Sequence, residues 1–189
     1  MITLLKDKIA EFYSDGEDFT VGKCILDSDD AVLIEALDLQ GKWDGFYWMK
    51  KNTLTEVIYD SEYIDKMKLY VEYWNDKKEQ NDNHPTITYS ELSANINDLL
   101  KLAYQKKSLI TIIRNDEEEL DTGFIKSIEN DKFTLECVDI SSAKMLEILE
   151  VKTDEVVFAE IDGIDNRLLA RPEVVPSGAV QVDGGGRGR

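Results

Sequence analysis

Gly22–Leu39 reads GKCILDSDDAVLIEALDL, and Gly123–Ile140 reads GFIKSIENDKFTLECVDI. The second stretch is the first one returning 101 residues later. The register extends outward without a gap, so that Lys8–Leu39 lies over Leu109–Ile140. Identical pairs along it are Ile9/Ile110, Asp15/Asp116, Glu17/Glu118, Gly22/Gly123, Asp30/Asp131, Glu35/Glu136 and Asp38/Asp139. Apolar positions coincide as well, with Phe12 over Ile113, Phe19 over Leu120, Val32 over Phe133 and Ile34 over Leu135. Past a one-residue loop difference, Val57-Ile58 matches Val157-Phe158 and Ile64-Asp65 matches Ile164-Asp165. This period is too long for a solenoid unit and is the size of one small domain, so the pattern predicts two copies of one unit.

Each copy reads as five short strands punctuated by turn residues. In the first they are Lys8–Ser14, Phe19–Leu26, Ala31–Leu39, Gly45–Lys50 and Leu54–Tyr59. In the second they are Leu109–Arg114, Leu120–Ile128, Lys132–Ile140, Lys144–Val151 and Glu155–Ile161. Ser14-Asp15-Gly16, Ser28-Asp29-Asp30 and Gln40-Gly41 are turn signals, and strands at this spacing suggest a small barrel or sandwich. Ser61–Lys78 carries Ile64, Met67, Val71 and Trp74 near helical spacing and predicts an amphipathic helix on the first unit. Asn75–His84 is polar throughout, and Pro85 ends it. Thr88 and Glu91 have the spacing of a capping box, which predicts a second helix over Tyr89–Lys106. Asp162–Leu169 resembles the start of the first copy's closing helix. From Arg171 the composition turns to Pro and Gly, which predicts a disordered tail.

The chain has 189 residues, 42% of them hydrophobic, with a formal net charge of −17. That hydrophobic share supports packed cores. The charge repels phosphate backbones and anionic lipid, and favours either plain solubility or attraction to a basic partner. No stretch approaches the length needed to span a membrane, and Ile2-Thr3-Leu4-Leu5 is too short for the core of a secretory signal, so the expected location is cytoplasmic.

An early glycine in the second of five short bent strands, then an apolar residue at plus two and an acid further on, resembles the first motif of the Sm-like branch of the SH3-like small barrels. The residues that carry it are Gly22, Cys24 and Asp27, and again Gly123, Ile125 and Glu129. The resemblance implies one small barrel per copy. Because such barrels commonly pair edge strands, it also implies a homo-oligomer or an intramolecular pseudo-dimer. It does not extend to RNA contacts. The family's base-contacting asparagine falls on Val32 and Phe133, and its Arg-Gly or Lys-Gly pair on Tyr59-Asp60 and Phe158-Ala159, which lack the needed donors.

Candidate chemistry is sparse. Cys24 and Cys137 sit in apolar strand contexts and read as buried free thiols. The single histidine, His84, lies in the polar linker, away from either cysteine in sequence. Asp27-Ser28-Asp29-Asp30 lacks the glycine pivot and distal Glu of a calcium loop, and Asp116–Glu119 reads as a solvated hairpin tip. Trp43-Asp44-Gly45-Phe46-Tyr47-Trp48 is the one aromatic-dense stretch. A strand throws alternate side chains to opposite faces, so one face of this strand must be covered by a helix, for which Ser61–Lys78 is the candidate, or by another protein. Trp43, Phe46, Tyr47 and Trp48 are therefore the candidate interface residues.

The expected fold class is α+β, with two tandem duplicated five-stranded Sm-like or SH3-like barrels, each with a private core, and connecting amphipathic helices. Expected boundaries are 1–78 for the first unit with its closing helix, 79–87 for a linker, 88–170 for the second unit with its leading helix, and 171–189 for the tail. The expected function is a non-enzymatic intracellular protein-interaction module with a strongly acidic surface and a protein partner. No catalytic, metal or cofactor site is expected. Two alternatives stand beside it: a nucleic-acid-associated regulator of the Sm-like kind, and an acidic nucleic-acid mimic that inhibits a basic protein.

Overall fold

Ala31-Val32-Leu33-Ile34 is apolar at four successive positions, so a strand here must bury both of its faces. The counterpart Lys132-Phe133-Thr134-Leu135 alternates, so a strand there buries only one. That difference sets the places of the two copies in a computed structural model of the chain, which describes residues 2–14, 19–77, 85–115 and 119–171. The first copy contributes β1 (Ile9–Tyr13), β2 (Phe19–Asp27), β3 (Ala31–Leu37), β4 (Trp43–Lys50), β5 (Glu56–Ile58) and helix α1 (Glu62–Lys77). After helix α2 (Ile96–Lys106) come β6 (Leu109–Arg114), β7 (Asp121–Ile128), β8 (Lys132–Asp139), β9 (Lys144–Lys152), β10 (Val156–Ile161) and the short helix α3 (Ile164–Leu169).

The expected pair of closed five-stranded barrels does not form. Among the described residues the strands make one ten-stranded antiparallel open sheet in the order β5-β1-β2-β3-β4-β10-β6-β7-β8-β9, and the protein is mostly sheet with three short helices. The reason is where β4 spends its outer edge. Instead of turning back toward β5, it pairs with β10, setting Met49 opposite Phe158, Trp48 opposite Ala159, Tyr47 opposite Glu160 and Phe46 opposite Ile161. One continuous ladder results.

Within that sheet the two halves repeat each other in detail. Their strand orders correspond, β5-β1-β2-β3-β4 and β10-β6-β7-β8-β9. Register slips fall at matching places, between Cys24 and Leu26 and between Ile125 and Ser127. A second matching pair falls between Glu35 and Leu37 and between Glu136 and Val138. Gly22 and Gly123 are needed for the same close approach. A Cβ at Gly22 would lie 2.3 Å from the Glu35 carbonyl oxygen, and one at Gly123 would lie 2.4 Å from that of Glu136.

The cores are not private. The largest joins Phe133, Leu135 and Cys137 of β8 to Ile110 and Ile112 of β6, and to Leu99, Leu100 and Ala103 of α2. It also takes in Ala31, Leu33, Phe46 and Trp48 from β3 and β4 of the first half. The opposite face of β3 and β4 sends Val32, Ile34 and Met49 into a second core with Ala10, Phe12 and Cys24, against which Phe158 of the second half packs. Helix α1 covers a smaller cluster of Val21, Ile64 and Met67.

Helix α2 starts later than the Thr88 and Glu91 spacing predicts. Those residues close a single 3-10 turn, Tyr89–Glu91, where the Glu91 carboxylate accepts from the Thr88 amide at 2.9 Å and hydroxyl at 2.8 Å. Asn95 then caps the helix itself by accepting from the Asn97 amide at 2.9 Å. Asn95 is a good N-cap, and Ser93 Oγ accepts from the Asn95 amide at 3.1 Å, a local bond that competes with helix and accounts for the interruption. The segment entering this turn is clamped by Asp162, which is buried with φ 63° and accepts from Thr86 N and Oγ1, each at 2.6 Å, and from Ile87 N at 3.1 Å. The expected tail and most of the expected linker lie outside the described residues. Substituting Gly22→Ala or Gly123→Ala should destabilise the chain by roughly 2–3 kcal/mol each, because the methyl meets backbone rather than a movable side chain. Urea unfolding of the two variants against the parent measures it.

Candidate interaction site

The aromatic stretch is placed by strand alternation on β4. Phe46 and Trp48 are buried in the shared core, where Trp48 Nε1 donates to the Ala94 carbonyl at 2.7 Å. They are covered from within the chain, by α2 and the Ile87–Ile96 segment that leads into it rather than by α1, which corrects the expected cover. Tyr47 points to the opposite face, half-buried against Phe158 with ring centroids 5.1 Å apart. Trp43 is half-buried, 5.6 Å from Phe46 and with the Arg167 guanidinium 5.0 Å above its ring. All four candidate interface residues thus make their main contacts inside the molecule.

The position that β4 occupies in the first half is held by β9 in the second, with an opposite outcome. Among the described residues no strand pairs with the outer edge of β9, and the strand is exposed along most of its length. Leu146 is 57% and Ile148 62% exposed, with Met145 beside them, whereas Leu149 packs on the shared core and Val151 is buried. A nine-residue edge with unpaired amides, carbonyls and apolar side chains is a template for another strand. Its charged residues, Lys144, Glu147, Glu150 and Lys152, cancel, so the edge is electrically neutral on a strongly acidic chain. The sheet's other end, β5, is three residues long, and the chain bends at Tyr59–Ser61 before entering α1.

A second feature sits at the inner junction. Beneath the turn from β10 to α3 a cavity of about 480 Å³ is lined by Asp44, Tyr47, Glu160 and Asn166, with Leu120 and Ile140 at its side. Buried Thr111 and Thr122 share a hydroxyl hydrogen bond of 2.8 Å, Thr111 reaches Asn166 Oδ1 at 3.1 Å, and Asn166 Nδ2 reaches Glu160 Oε1 at 3.3 Å. Burial, then the neighbouring Asp44 and Asp165, push the Glu160 carboxyl up to about 8, so it is largely protonated at neutral pH. Burial raises Asp44 as well, against the Ile164 amide at 3.4 Å that favours its charged form. These groups mainly satisfy one another.

Neither thiol is poised as a nucleophile. Cys24 and Cys137 are buried and free, and burial pushes Cys24 up to about 11. His84 and Asp116–Glu118 lie outside the described residues. Among the described residues no group of His, Cys, Asp and Glu has the arrangement of a metal site, and no helix is long and apolar enough to cross a membrane. No family model, no curated protein and no solved structure matches the chain.

Sequence reasoning located β9 as a strand but not as an edge, because side-chain pattern says nothing of which hydrogen-bonding edge is taken. It passed over Glu160 and Asp162 as well, since an acid at a strand end reads as solvated until the fold closes over it. The raised Glu160 carboxyl makes a signed prediction. A folded-state value above the unfolded one means its contribution is intact at acid pH and is lost as pH rises toward 8. Relative to the parent, Glu160→Gln should gain roughly 2–4 kcal/mol between pH 4 and pH 8.5, each tenfold change in proton affinity between the unfolded and folded chain being worth about 1.4 kcal/mol. Thermal unfolding of both proteins across that range reads the difference.

Proposed function

We propose that this chain is a non-enzymatic protein-interaction module with a strongly acidic surface, and that it docks partners along the free edge of β9. The observation that carries the reading is the contrast between equivalent strands. In the first half this position is covered by β10, whereas β9 offers the same backbone edge and exposed Leu146 and Ile148 to solvent. Strand addition to such an edge draws affinity from main-chain hydrogen bonds and selectivity from alternate side chains. The neutral charge of β9 supports it, since an incoming strand meets no net repulsion there.

Ten-residue peptides selected from a random display library against the immobilised chain test the proposal. They should protect β9 amides from hydrogen exchange and bind the Leu146→Lys/Ile148→Lys variant at least about tenfold more weakly, edge lysines being a natural block to strand pairing. Both substituted side chains are exposed, so the variant should keep the parent's circular dichroism. Equal binding to the variant, or protection confined to other strands, would overturn it.

A further inference from the structure

We infer that the β9 edge accepts an antiparallel strand whose sequence runs apolar, basic, apolar, apolar, set opposite Val151, Glu150, Leu149 and Ile148 in turn; this rests on the reading of β9 as a docking edge. The register comes from a ladder already built inside the chain. Strand β8 sets Phe133 opposite Val151, Leu135 opposite Leu149 and Glu136 opposite Ile148. Their repeat equivalents in β3 set Val32 opposite Met49, Ile34 opposite Tyr47 and Glu35 opposite Phe46. Val151, Glu150, Leu149 and Ile148 therefore hold the places of Met49, Trp48, Tyr47 and Phe46. Those are the four residues on which β10 lies, with Phe158, Ala159, Glu160 and Ile161 opposite them. Both runs end before the slip in their strand, which falls between Ile148 and Met145 in β9 and between Phe46 and Trp43 in β4. The four residues are thus regular, and their side chains alternate between the two faces.

The chemistry of each position follows from its face. Val151 is buried in the shared core and Leu149 packs on it, so the residues opposite them continue an apolar surface. Ile148 and Glu150 alternate onto the other face. Ile148, exposed there, gains from an apolar or β-branched neighbour directly opposite. The Glu150 side chain is 63% exposed. Its Oε2 accepts from Lys132 at 2.9 Å, and among the described residues its Oε1 has no partner. A carboxylate accepts at both oxygens, so a basic residue on the open side completes a row of alternating charge across three strands.

The free ends of this chain's own sheet do not supply that pattern. Phe12 sits opposite Val57 as Ile113 sits opposite Phe158, so β5 laid on β9 in the manner of β10 would set Val57, Ile58, Tyr59 and Asp60 against Val151, Glu150, Leu149 and Ile148. An apolar residue would then face Glu150 and an acid would face Ile148, and β5 ends at Ile58, before the bend at Tyr59–Ser61. A second β9 fails too, because the extra residue between its Met145 and Ile148 pairings breaks the alternation that the pattern needs. The occupant is a strand of another protein, selected by one basic residue among apolar ones.

Fluorescence polarisation on the full chain tests the inference, with short peptides of alternating Ser and Thr that carry Val-Lys-Val-Ile at the centre. Controls carry Val-Glu-Val-Ile or the shifted Val-Val-Lys-Ile. The first peptide should bind at least about fivefold more tightly than either control, since the exchange turns a cross-strand attraction into a repulsion or misplaces it. It should also protect β9 amides from hydrogen exchange. Glu150→Lys should reverse the order of the Lys and Glu peptides, and Glu150→Gln should bring the two within about twofold of each other. The Gln variant keeps the side chain's shape and serves if loss of the Lys132 pair unfolds the Lys variant. Protection of β9 with no preference among the three peptides, or a preference that neither substitution moves, would overturn the inference and leave the docking edge standing. Self-association that protects β9 without any peptide would put a second copy there and overturn it as well. Library-selected peptides that leave β9 unprotected would remove the docking edge itself, and this inference with it.

Discussion

A strand that is apolar on both faces cannot end a sheet, and β4 is such a strand. Phe46 and Trp48 project into one core and Tyr47 and Met49 toward the other, so its outer backbone edge would be left bare between two oily surfaces. Unpaired amides and carbonyls in that setting cost about 1–3 kcal/mol each. Strand β10 removes the cost by pairing there, and it brings a matched two-faced pattern. Ala159 and Ile161 join the core of Phe46 and Trp48, while Phe158 stacks edge-on against Tyr47. Most else in the architecture follows from that ladder: the merging of two repeated halves into one sheet, the sharing of α2 between them, and the displacement of the free edges to β5 and β9.

The same ladder explains where unusual chemistry collects. Glu160 lies on the Phe158 face of β10, one step beyond the point where the apolar core gives out, opposite Tyr47. Being held in the junction, it cannot turn to solvent as an acid on an outer strand would, and the neighbouring Asp44 and Asp165 discourage its ionisation further. Asp162, two residues on, is used differently. Its carboxylate is filled by donors from Thr86 and Ile87, and it ties the segment entering α2 to the end of β10. Two acids at the end of β10 thus serve opposite ends, one kept neutral by burial and one satisfied by two amides and a hydroxyl.

Much of the strand plan was legible in the residues. The Gly22 and Gly123 spacing carried the repeat, and both glycines sit where a side chain would strike the neighbouring carbonyl. The contrast of Ala31-Val32-Leu33-Ile34 with Lys132-Phe133-Thr134-Leu135 already held the difference between an inner strand and one with a wet face. Closure was not legible. Whether β4 pairs with its own β5 or with β10 is decided by backbone edges and shared cores, and no local pattern records that choice. For the same reason the aromatics of β4 were open to reading as a surface. Phe46 and Trp48 are covered by Ile87, Leu99 and Ala103, which are distant in sequence and lie beyond the first repeat. The end position of β9 was invisible too, because Leu146 and Ile148 look like ordinary strand residues until their neighbours are known.

The dependence of both halves on one ladder is tested most directly by native-state hydrogen exchange across a urea series, read by mass spectrometry on peptides from β3 and β4 and from β6 and β7. One cooperative sheet requires the slowest amides of both sets to open together, with the same free energy and the same urea dependence. Two sets that open at separate midpoints, one half remaining protected after the other has exchanged, would show two independent units and contradict the account.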